Sequence, residues 1–485
     1  MEGVSDLARD VLDRARRSRD PRFDGRFFIA VRSTRIYCRP ICPSRFSHDS
    51  NVRYYATAEE AASAGYRPCL RCRPEAAPGS PAWTGTSAVV QRALRLIQDG
   101  ALDHASLSDL ATRLGVGVRH LSRLFARHVG ASPATVAQTR RIYFAKRLLD
   151  DTPLPITDIA HAAGFGSIRR FNDAFRKTYR KAPRELRRER RVGIDKTEGA
   201  EIALRLAYRP PYDWHHIQSF LAANAMPGVE DITADAYSRA APTPSGYSVL
   251  RVQPVPNANA LEVRIKGALP AELPRLLSSV RRMFDLTADP RHIGTAMTND
   301  TLLMPLLARR PGLRIAGAWD PFECCVSAIL GASGGGDAAR RVLTRLIERF
   351  GNPIDVPGTD IRYTFPNAGM LAEADLGDLG LSSARRAALQ LLARGVRDKL
   401  IRFDAASEEI RRMLCSLPGV GRWTAGYVAL RGLGEPDAFP SGDLVLRRVA
   451  ACGYNPLTTR ALEERAERWR PFRGYAVFYL WDAAG

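Results

Sequence analysis

Long apolar runs are absent from this 485-residue sequence. No uninterrupted run reaches the about 18 apolar residues that a membrane-spanning helix needs. The Arg-rich stretch Arg14–Arg17 is not followed by the apolar core of a secretory signal. Low-complexity tracts are missing as well. These absences argue against a membrane or secreted protein, and they predict a cytoplasmic protein made of globular domains.

Negative charge is also in short supply. The sequence has 72 Lys and Arg against 51 Asp and Glu, a formal net charge of +21. Residues 1–200 hold 37 basic and 21 acidic residues, a net of +16, whereas residues 201–485 hold 35 and 30, a net of +5. A field of this sign attracts phosphates, so the expected partner is a polyanion and the expected location is nucleoid-associated. The alternative is that the charge serves solubility alone.

Cysteine is scarce, with eight residues in the chain, and half of them fall into two close pairs. Cys38 and Cys42 form the first pair, and Cys69 and Cys72 form the second. In a reducing cytoplasm, clustered cysteines favour a metal over disulfides. Four thiolates at these spacings can close a tetrahedral site, which predicts one Zn²⁺ ion.

The chemistry of such a site depends on whether one sulfur stays reactive. Zinc keeps cysteines as thiolates, which leaves sulfur electron-rich enough to attack a soft electrophile such as a methyl group. A purely structural zinc site is the alternative. The other four cysteines lie in apolar contexts without ligand spacing and are expected to be buried structural thiols: Cys324, Cys325, Cys415 and Cys452.

The apolar pattern divides the chain into four regions. Strand-like runs occur at Phe27–Val31, Glu201–Leu206 and Leu261–Ile265, whereas the spacing from about 85 to 190 and beyond about 285 is helical. A repeat with an offset of 49 residues, from Leu107–Gly115 to Ile156–Gly164, predicts two helix-turn-helix units. The predicted fold class is a multidomain α+β protein. It combines a small four-cysteine zinc domain at 1–78, an all-α tandem helix-turn-helix domain at 85–192, a small α+β sheet domain at 200–285 and an all-α helix-hairpin-helix domain at 286–485.

The tandem helices carry basic residues away from their apolar stripe. Two such units can place their second helices in successive major grooves of DNA. Arginine suits guanine edges and phosphates alike, and the sequence leaves both roles open. The candidate DNA-contacting residues are Arg119 and Arg123 in the first copy and Arg169 and Arg170 in the second. The alternative is a pair of helical hairpins without DNA contact.

A glycine hairpin, Leu417–Gly421, lies between two helical stretches. Gly419 and Gly421 let backbone N–H groups approach a DNA phosphate at a helix N-terminus. Asp443 follows 22 residues after Gly421, and a lone carboxylate facing a flipped nucleotide can stabilise positive charge at the sugar C1′. Aromatic side chains would supply a π-faced pocket for the base, with ordinary core packing as the alternative. The candidate walls of this pocket are Trp423, Tyr427 and Trp481.

Two segments around the cysteines, Phe28–Cys42 and Gly65–Pro74, closely resemble the N-terminal methyl-phosphotriester repair domain of the Ada adaptive-response regulator. The resemblance implies that Cys38 is the methyl acceptor, and that the other three cysteines of the two pairs complete the zinc site. The Pro-Cys-His-Arg motif of that family's second methyltransferase domain does not occur, so direct repair of O6-alkylguanine is not expected.

The helical repeat also has a family resemblance. Ile156–Phe165 and Phe171–Pro183 look like the AraC-type signature, which is the regulatory segment attached to Ada domains. This implies a transcription regulator whose promoter affinity rises when the neighbouring zinc site is methylated.

The C-terminal half is similar to AlkA-type 3-methyladenine DNA glycosylase II of the helix-hairpin-helix superfamily. The likeness runs from about 200 to 482 and includes Pro210–Trp214 and Gly317–Phe322. It implies Asp443 as the catalytic residue beside the three aromatic walls. Trp423 occupies the place where bifunctional relatives carry their Schiff-base lysine, so monofunctional hydrolysis without strand cleavage is expected.

One departure from that family concerns the gap left by a flipped base. The family has a glutamine and then a bulky side chain that wedges into the gap, whereas this chain has Ala332, Ser333 and Gly334. A serine side chain is small and polar, so it fills such a gap poorly. Either base flipping is inefficient, or another residue fills the gap.

Together the resemblances imply a protein of the DNA alkylation-damage response. Cys38 would accept methyl groups and switch on transcription, and the C-terminal half would excise alkylated purines. The expected partners are damaged and promoter double-stranded DNA and RNA polymerase, with the protein acting as a monomer and without a membrane. The alternative is a DNA-binding regulator whose glycosylase half is catalytically weak.

Overall fold

The computed structural model describes residues 8–74, 77–78, 88–190, 201–331, 336–451 and 455–484. The departure at Ala332–Gly334 and the thiol of Cys452 lie outside these residues. The chain divides into two compact units, the first of residues 1–210, 255–278 and 286–288, and the second of residues 211–254, 279–285 and 289–485. Nowhere in the described ranges does a helix combine the length and the apolarity needed to cross a membrane.

The N-terminal region is built on a four-stranded sheet with the order β3-β1-β2-β4. Its elements are α1 (Arg9–Ser18), β1 (Phe28–Val31), β2 (Ile36–Cys38), β3 (Val52–Tyr55), α2 (Ala58–Ser63) and β4 (Arg67–Pro68). Strand β1 pairs antiparallel with β2 and β3, and β2 pairs parallel with β4. Ile29 packs with Leu12 of α1, whereas Phe28 packs with Ala61 of α2. Both faces of β1 are therefore buried, which explains its continuous apolar run.

The next region is entirely helical. It consists of α3 (Ala88–Gln98), α4 (Ala101–His104), α5 (Leu107–Leu114), α6 (Val118–His128), α7 (Pro133–Asp151), α8 (Ile156–Ala162), α9 (Ile168–Tyr179) and α10 (Pro183–Arg190). Ser106 caps α5 by accepting a hydrogen bond from the Asp109 amide at 3.1 Å. Gly115 after α5 and Gly164 after α8 have φ of +71° and +82°, the left-handed geometry that favours glycine. The two predicted helix-turn-helix units are thus α5–α6 and α8–α9.

A region of strands follows. It contains β5 (Glu201–Ala207), α11 (Trp214–Ala223), β6 (Glu230–Ile232), β7 (Tyr237–Thr243), β8 (Gly246–Pro254) and β9 (Ala260–Lys266). In the first unit, β5 pairs antiparallel with β9 from Glu201 opposite Lys266 to Ala207 opposite Ala260. In the second unit, β7 pairs antiparallel with β6 and with β8. The predicted α+β region is confirmed.

The C-terminal region is mainly helical. Its elements are α12 (Leu273–Met283), α13 (Pro290–Met297), α14 (Leu303–Arg309), α15 (Pro321–Gly331), α16 (Gly336–Phe350), β10 (Asn352–Pro353), β11 (Tyr363–Thr364), α17 (Ala368–Glu373), α18 (Ser383–Arg397), α19 (Ser407–Cys415), α20 (Arg422–Arg431), α21 (Leu444–Val449), α22 (Thr459–Ala466) and α23 (Arg473–Ala484). Helix α15 packs against α20, and α21 packs against α23. Both helices are therefore held in place by packing. The predicted residues Trp423 and Asp443 lie at the N-termini of α20 and α21.

The expectation for the four remaining cysteines is only partly right. Cys324 and Cys325 on α15 are buried, as expected. Cys415 is exposed instead, because it is the last residue of α19 and the preceding Leu414 takes the core-facing position.

Candidate functional sites

The two cysteine pairs meet at one place. Cys38 ends β2, and the structure brings it together with Cys42, Cys69 and Cys72 so that all four sulfur atoms lie within 4.8 Å of one another. Tetrahedral zinc with Zn–S bonds of about 2.3 Å requires such a separation. The donor set therefore fits one Zn²⁺ ion, as predicted. Cys38 is partly exposed, whereas the other three cysteines are buried.

A buried ion pair supports the zinc loop. The Arg39 guanidinium bonds Asp24 through Nε at 2.8 Å and also donates to the Cys72 carbonyl oxygen at 3.1 Å. The backbone N–H of Arg39 donates to the Cys72 sulfur at 3.3 Å. Arg39 therefore fixes one buried cysteine from two directions, while Cys38 stays partly exposed.

The same loop is tied to the helical region. Arg73 directly follows Cys72, and its guanidinium pairs with Asp150 at 3.0 Å and with Asp151 at 3.0 Å, both at the end of α7. Asp150 also accepts a hydrogen bond from the buried Lys146 ammonium group, which lies 5.8 Å from the Tyr179 ring centroid. Tyr179 is the last residue of α9. A chain of contacts thus runs from the zinc loop to the second helix of the second helix-turn-helix unit.

Two further contacts join these regions. Thr57, which caps α2, donates its hydroxyl to the Val129 carbonyl oxygen at 3.1 Å, just after α6. The Tyr37 and Tyr143 hydroxyl groups are hydrogen-bonded to each other. The zinc region therefore contacts the helices on several elements rather than through a single linker.

The four predicted DNA-reading arginines are all exposed. Arg119 and Arg123 lie on α6, and Arg169 and Arg170 lie in the first turn of α9. The opposite faces of these helices are buried through residues such as Phe125 and Phe171. The arginines are therefore free to face a charged partner, and contact with DNA remains a prediction.

The glycine hairpin leads directly into α20. Gly419 has a φ of +73°, and a side chain added at Gly421 would meet nothing within 4 Å. Gly421 is the N-cap of α20, so the unpaired N–H groups of its first turn lie beside an unobstructed backbone. A helix N-terminus with this geometry is suited to an anion such as a phosphate, and DNA binding by the hairpin stays a prediction.

Asp443 lies beside the start of α20. The Trp423 indole Nε1 donates to Asp443 Oδ2 at 2.8 Å, and the Leu446 amide donates to Oδ1 at 3.0 Å. Asp443 is itself the N-cap of α21 and is only 9% exposed. Two donors on different oxygens fix the plane of the carboxylate, which is the pre-organisation that electrostatic catalysis needs.

The three predicted wall residues form one aromatic series. Trp423 stacks on Tyr427 with ring centroids 5.3 Å apart and planes 23° apart, and Tyr427 lies 6.2 Å from Trp481. Each of the three is partly exposed. The structure adds Phe220 of α11, which stacks on Trp481 at 6.2 Å with planes 21° apart. In the sequence, Phe220 is one more apolar residue of an amphipathic helix, so no signal distinguished it from a core residue.

A buried arginine, Arg431, stands behind this series. Its guanidinium donates to the Tyr427 hydroxyl and to the Ala316 carbonyl oxygen, the latter at 2.9 Å. It also lies 4.9 Å from the Phe220 ring centroid. Burial raises the pKa of Tyr427, so the phenol stays protonated at neutral pH. Arg431 thus contacts the rings of Tyr427 and Phe220 and helps to fix their orientation.

Known protein domains match this arrangement region by region. The metal binding domain of Ada matches residues 12–75, a helix-turn-helix domain matches residues 110–189, and the AlkA N-terminal domain matches residues 203–320. The "Probable bifunctional transcriptional activator/DNA repair enzyme AlkA" of Mycobacterium tuberculosis is 40% identical over 474 residues, which cover 96% of this chain and 95% of the relative. The chain belongs to this family. Its predicted fusion of an Ada-type zinc domain, an AraC-type helix-turn-helix region and an AlkA-type half is confirmed.

The glycosylase relatives match the C-terminal part. Over 58% of this chain and 97% of its own length, the "DNA-3-methyladenine glycosylase 2" of Escherichia coli is 31% identical. The solved "3-methyladenine dna-glycosylase from Archaeoglobus fulgidus" has a TM-score of 0.52 at 22% identity and covers 58% of this chain and 97% of its own. The latter likeness shows that the two proteins share a fold.

Proposed function

We propose that this family member repairs alkylated DNA in two ways and reports the damage through transcription. Its C-terminal half hydrolyses the N-glycosidic bond of alkylated purines of the 3-methyladenine type, without strand cleavage. Its Cys38 accepts a methyl group from DNA methyl-phosphotriesters. The observation that carries the first activity is the Asp443 carboxylate, fixed by Trp423 beside the hairpin and the aromatic series.

The proposed hydrolysis uses Asp443 directly. The bond between C1′ and the base nitrogen breaks, and its electron pair leaves with the base. An alkylated purine is already cationic, so it departs as a neutral molecule. The carboxylate stabilises the positive charge at C1′ and orients a water molecule. The water oxygen bonds to C1′, and one of its protons passes to the surrounding solvent. The aromatic walls hold the electron-poor base by stacking.

The absence of a lysine at position 423 supports the monofunctional course. A Schiff base needs a primary amine beside C1′, and the Trp423 indole that stands here is not nucleophilic. Trp423 instead donates its N–H to the carboxylate. The product is an abasic site in an intact strand.

The proposed methyl transfer uses the exposure of Cys38. The Cys38 sulfur forms a bond to the methyl carbon as the methyl–oxygen bond of the phosphotriester breaks, and the electron pair stays on the phosphate oxygen. A bound zinc ion would keep the four sulfurs deprotonated at neutral pH. Cys38 is partly exposed whereas the other three cysteines are buried, which supports Cys38 as the acceptor.

The proposed signal follows from charge. Methylation turns the Cys38 thiolate into a neutral thioether, so the zinc loop repels phosphates less. The four exposed arginines on α6 and α9 would then bind promoter DNA. The protein, acting as a monomer, would recruit RNA polymerase there. The domain limits that we propose for these roles are 1–78, 85–192, 200–285 and 286–485.

One experiment tests the glycosylase proposal. The purified full-length protein is incubated with a duplex oligonucleotide containing 3-methyladenine or hypoxanthine, and the released base is measured by chromatography. Asp443→Asn is the matched variant, since an amide oxygen can still cap α21. We expect release by the wild type and a loss of at least about a hundredfold in the variant. Release that is equal in both proteins would reject the role of Asp443, and the absence of release would favour a DNA-binding regulator.

A second experiment tests the methyl acceptor. The protein is exposed to DNA carrying methyl-phosphotriesters, and the peptide containing Cys38 is analysed by mass spectrometry. We expect a gain of one methyl group on Cys38 and none on Cys415, the exposed cysteine far from the cluster in sequence. Methylation of Cys415 to the same extent would mean that the chemistry is nonspecific.

A further inference from the structure

Two exposed apolar residues directly follow Asp443 in the chain. Leu444 is 46% exposed and Val445 is 40% exposed, and they are the first two residues of α21. Exposed apolar surface that is rimmed by polar residues is typical of interaction sites. Their place next to the fixed carboxylate distinguishes them from the other exposed apolar residues, such as Leu400 in the turn after α18.

Their orientation is set by the helix itself. Leu446, the third residue of α21, is fully buried, and its amide donates to Asp443 Oδ1 at 3.0 Å. The Arg447 amide donates to the Asp443 carbonyl oxygen at 3.1 Å, which closes the first turn. Because Leu446 points into the core, Leu444 and Val445 point outward on the first turn, and the cap prevents this turn from rotating.

The surroundings of the pair indicate DNA as its occupant. Trp423, whose indole bonds Asp443, is the second residue of α20, so the N-termini of α20 and α21 meet at this hydrogen bond. The pair therefore lies close to the glycine hairpin that suits a phosphate. Arg422 and Arg448 are both exposed on the same two helices and would match phosphates on either side.

We infer that Leu444 and Val445 contact the lesion-containing strand at the mouth of the site and stabilise the extrahelical nucleotide. Extruding a base costs its stacking energy, and apolar side chains that lie in the gap or against the exposed sugar and bases offset that cost. This inference rests on the proposed glycosylase function. It also supplies the apolar contact for which Ser333, at the family's wedge position, is too small.

The test compares a double variant with a matched control. Leu444→Ser with Val445→Ser removes the apolar pair, and Leu400→Ser makes the same change at a side chain that is 74% exposed in the same unit. Single-turnover base release is measured on a 3-methyladenine-containing duplex and on the same oligonucleotide as a single strand. The single strand has no stack to break, so it reports the chemistry without the extrusion step.

We expect the rate of base release by the double variant to fall about tenfold or more on the duplex. On the single strand, its rate should stay within about twofold of the wild-type rate. Leu400→Ser should match the wild-type rate on both substrates. Leu444→Met with Val445→Ile, which keeps the apolar surface, should restore the duplex rate. An equal loss of rate on both substrates would show that the pair serves folding or chemistry. An unchanged rate on both would show that the pair does not contact the DNA and would favour a protein partner instead. Both results overturn the inference.

A second readout separates this inference from the proposed function. In the Asp443→Asn background, the fluorescence of 2-aminopurine placed beside the lesion reports extrusion without catalysis. We expect a weaker fluorescence increase when the apolar pair is replaced, and the same increase when Leu400 is replaced. If the wild type released no base, the proposed function would fail, and this fluorescence comparison would still decide the inference.

Discussion

The Trp423 indole donates a hydrogen bond to Asp443 at 2.8 Å, from the N-terminus of one helix to the N-cap of the next. This bond joins the hairpin that suits a DNA phosphate to the carboxylate proposed to act on the sugar. We propose that the indole acts both as a wall of the base pocket and as a group that positions the carboxylate. The two roles can be separated because a phenyl ring keeps the stacking surface and lacks the donor.

The first prediction concerns that donor. Trp423→Phe should lower the single-turnover rate of base release about tenfold, because a hydrogen bond to a charged group contributes about 1.5–3 kcal/mol. Affinity for the lesion duplex should change less than the rate, since the ring still stacks on Tyr427. Fluorescence anisotropy and quench-flow on the same samples give both numbers. A variant whose binding falls as much as its rate would show that the indole serves only as a wall.

The second prediction concerns the metal. Cys42→Ser should abolish the binding of one zinc per chain and expose residues 8–74 to protease, because zinc binding energy is part of the folding energy of so small a unit. Cys415→Ser is the matched control, since that thiol is exposed and outside the cluster. Atomic emission and limited proteolysis measure the two effects. Full zinc content in Cys42→Ser would remove Cys42 from the ligand set.

The third prediction concerns the link between the zinc loop and the helices. Asp150→Ala leaves the Lys146 ammonium group, whose side chain is 1% exposed, without its carboxylate. Breaking a buried pair from one side costs about 3–5 kcal/mol, so the melting temperature should fall by several degrees. Arg73→Ala should cost less, because that side chain is 22% exposed. Differential scanning calorimetry ranks the two variants, and the reverse order would contradict the structure.

The fourth prediction concerns pH and Glu323. This carboxyl group is buried on α15 beside Arg239, and burial raises its pKa from 4.5 to about 7. Between these two pH values the folded protein holds a proton that the unfolded chain has released, so the free energy of unfolding falls as the pH rises. A shift of this size amounts to about 3 kcal/mol across the window.

The matched variant for this prediction is Glu323→Gln, which is neutral at every pH. From pH 5 to pH 7, the melting temperature of the wild type should fall relative to that of the variant, and above pH 7 the difference should stay constant. Parallel curves for the two proteins would show that Glu323 does not titrate in this window. Arg239 remains charged throughout, so it contributes no slope of its own.

Much of this protein could be predicted from local signals. The two cysteine pairs, the 49-residue repeat and the glycine hairpin are short patterns with defined spacing, and each indicates one local structure by its own chemistry. The error at Cys415 has the same origin, since an apolar neighbourhood in sequence does not say which side of a helix end faces the core. The rotation of α19 about its axis, which turns Leu414 toward the core, decides that Cys415 is exposed.

The sequence by itself determined the four zinc ligands, the two helix-turn-helix units and the position of Asp443 after the hairpin, because spacing along the chain specifies these features. The tertiary structure alone decided the contacts of Arg73 with Asp150, of Phe220 with Trp481, and of Trp423 with Asp443. The partners in the first two contacts are separated by 77 and 261 positions, and even Trp423 and Asp443 lie 20 apart. Packing of whole elements brings such side chains together, and local propensity carries no information about it.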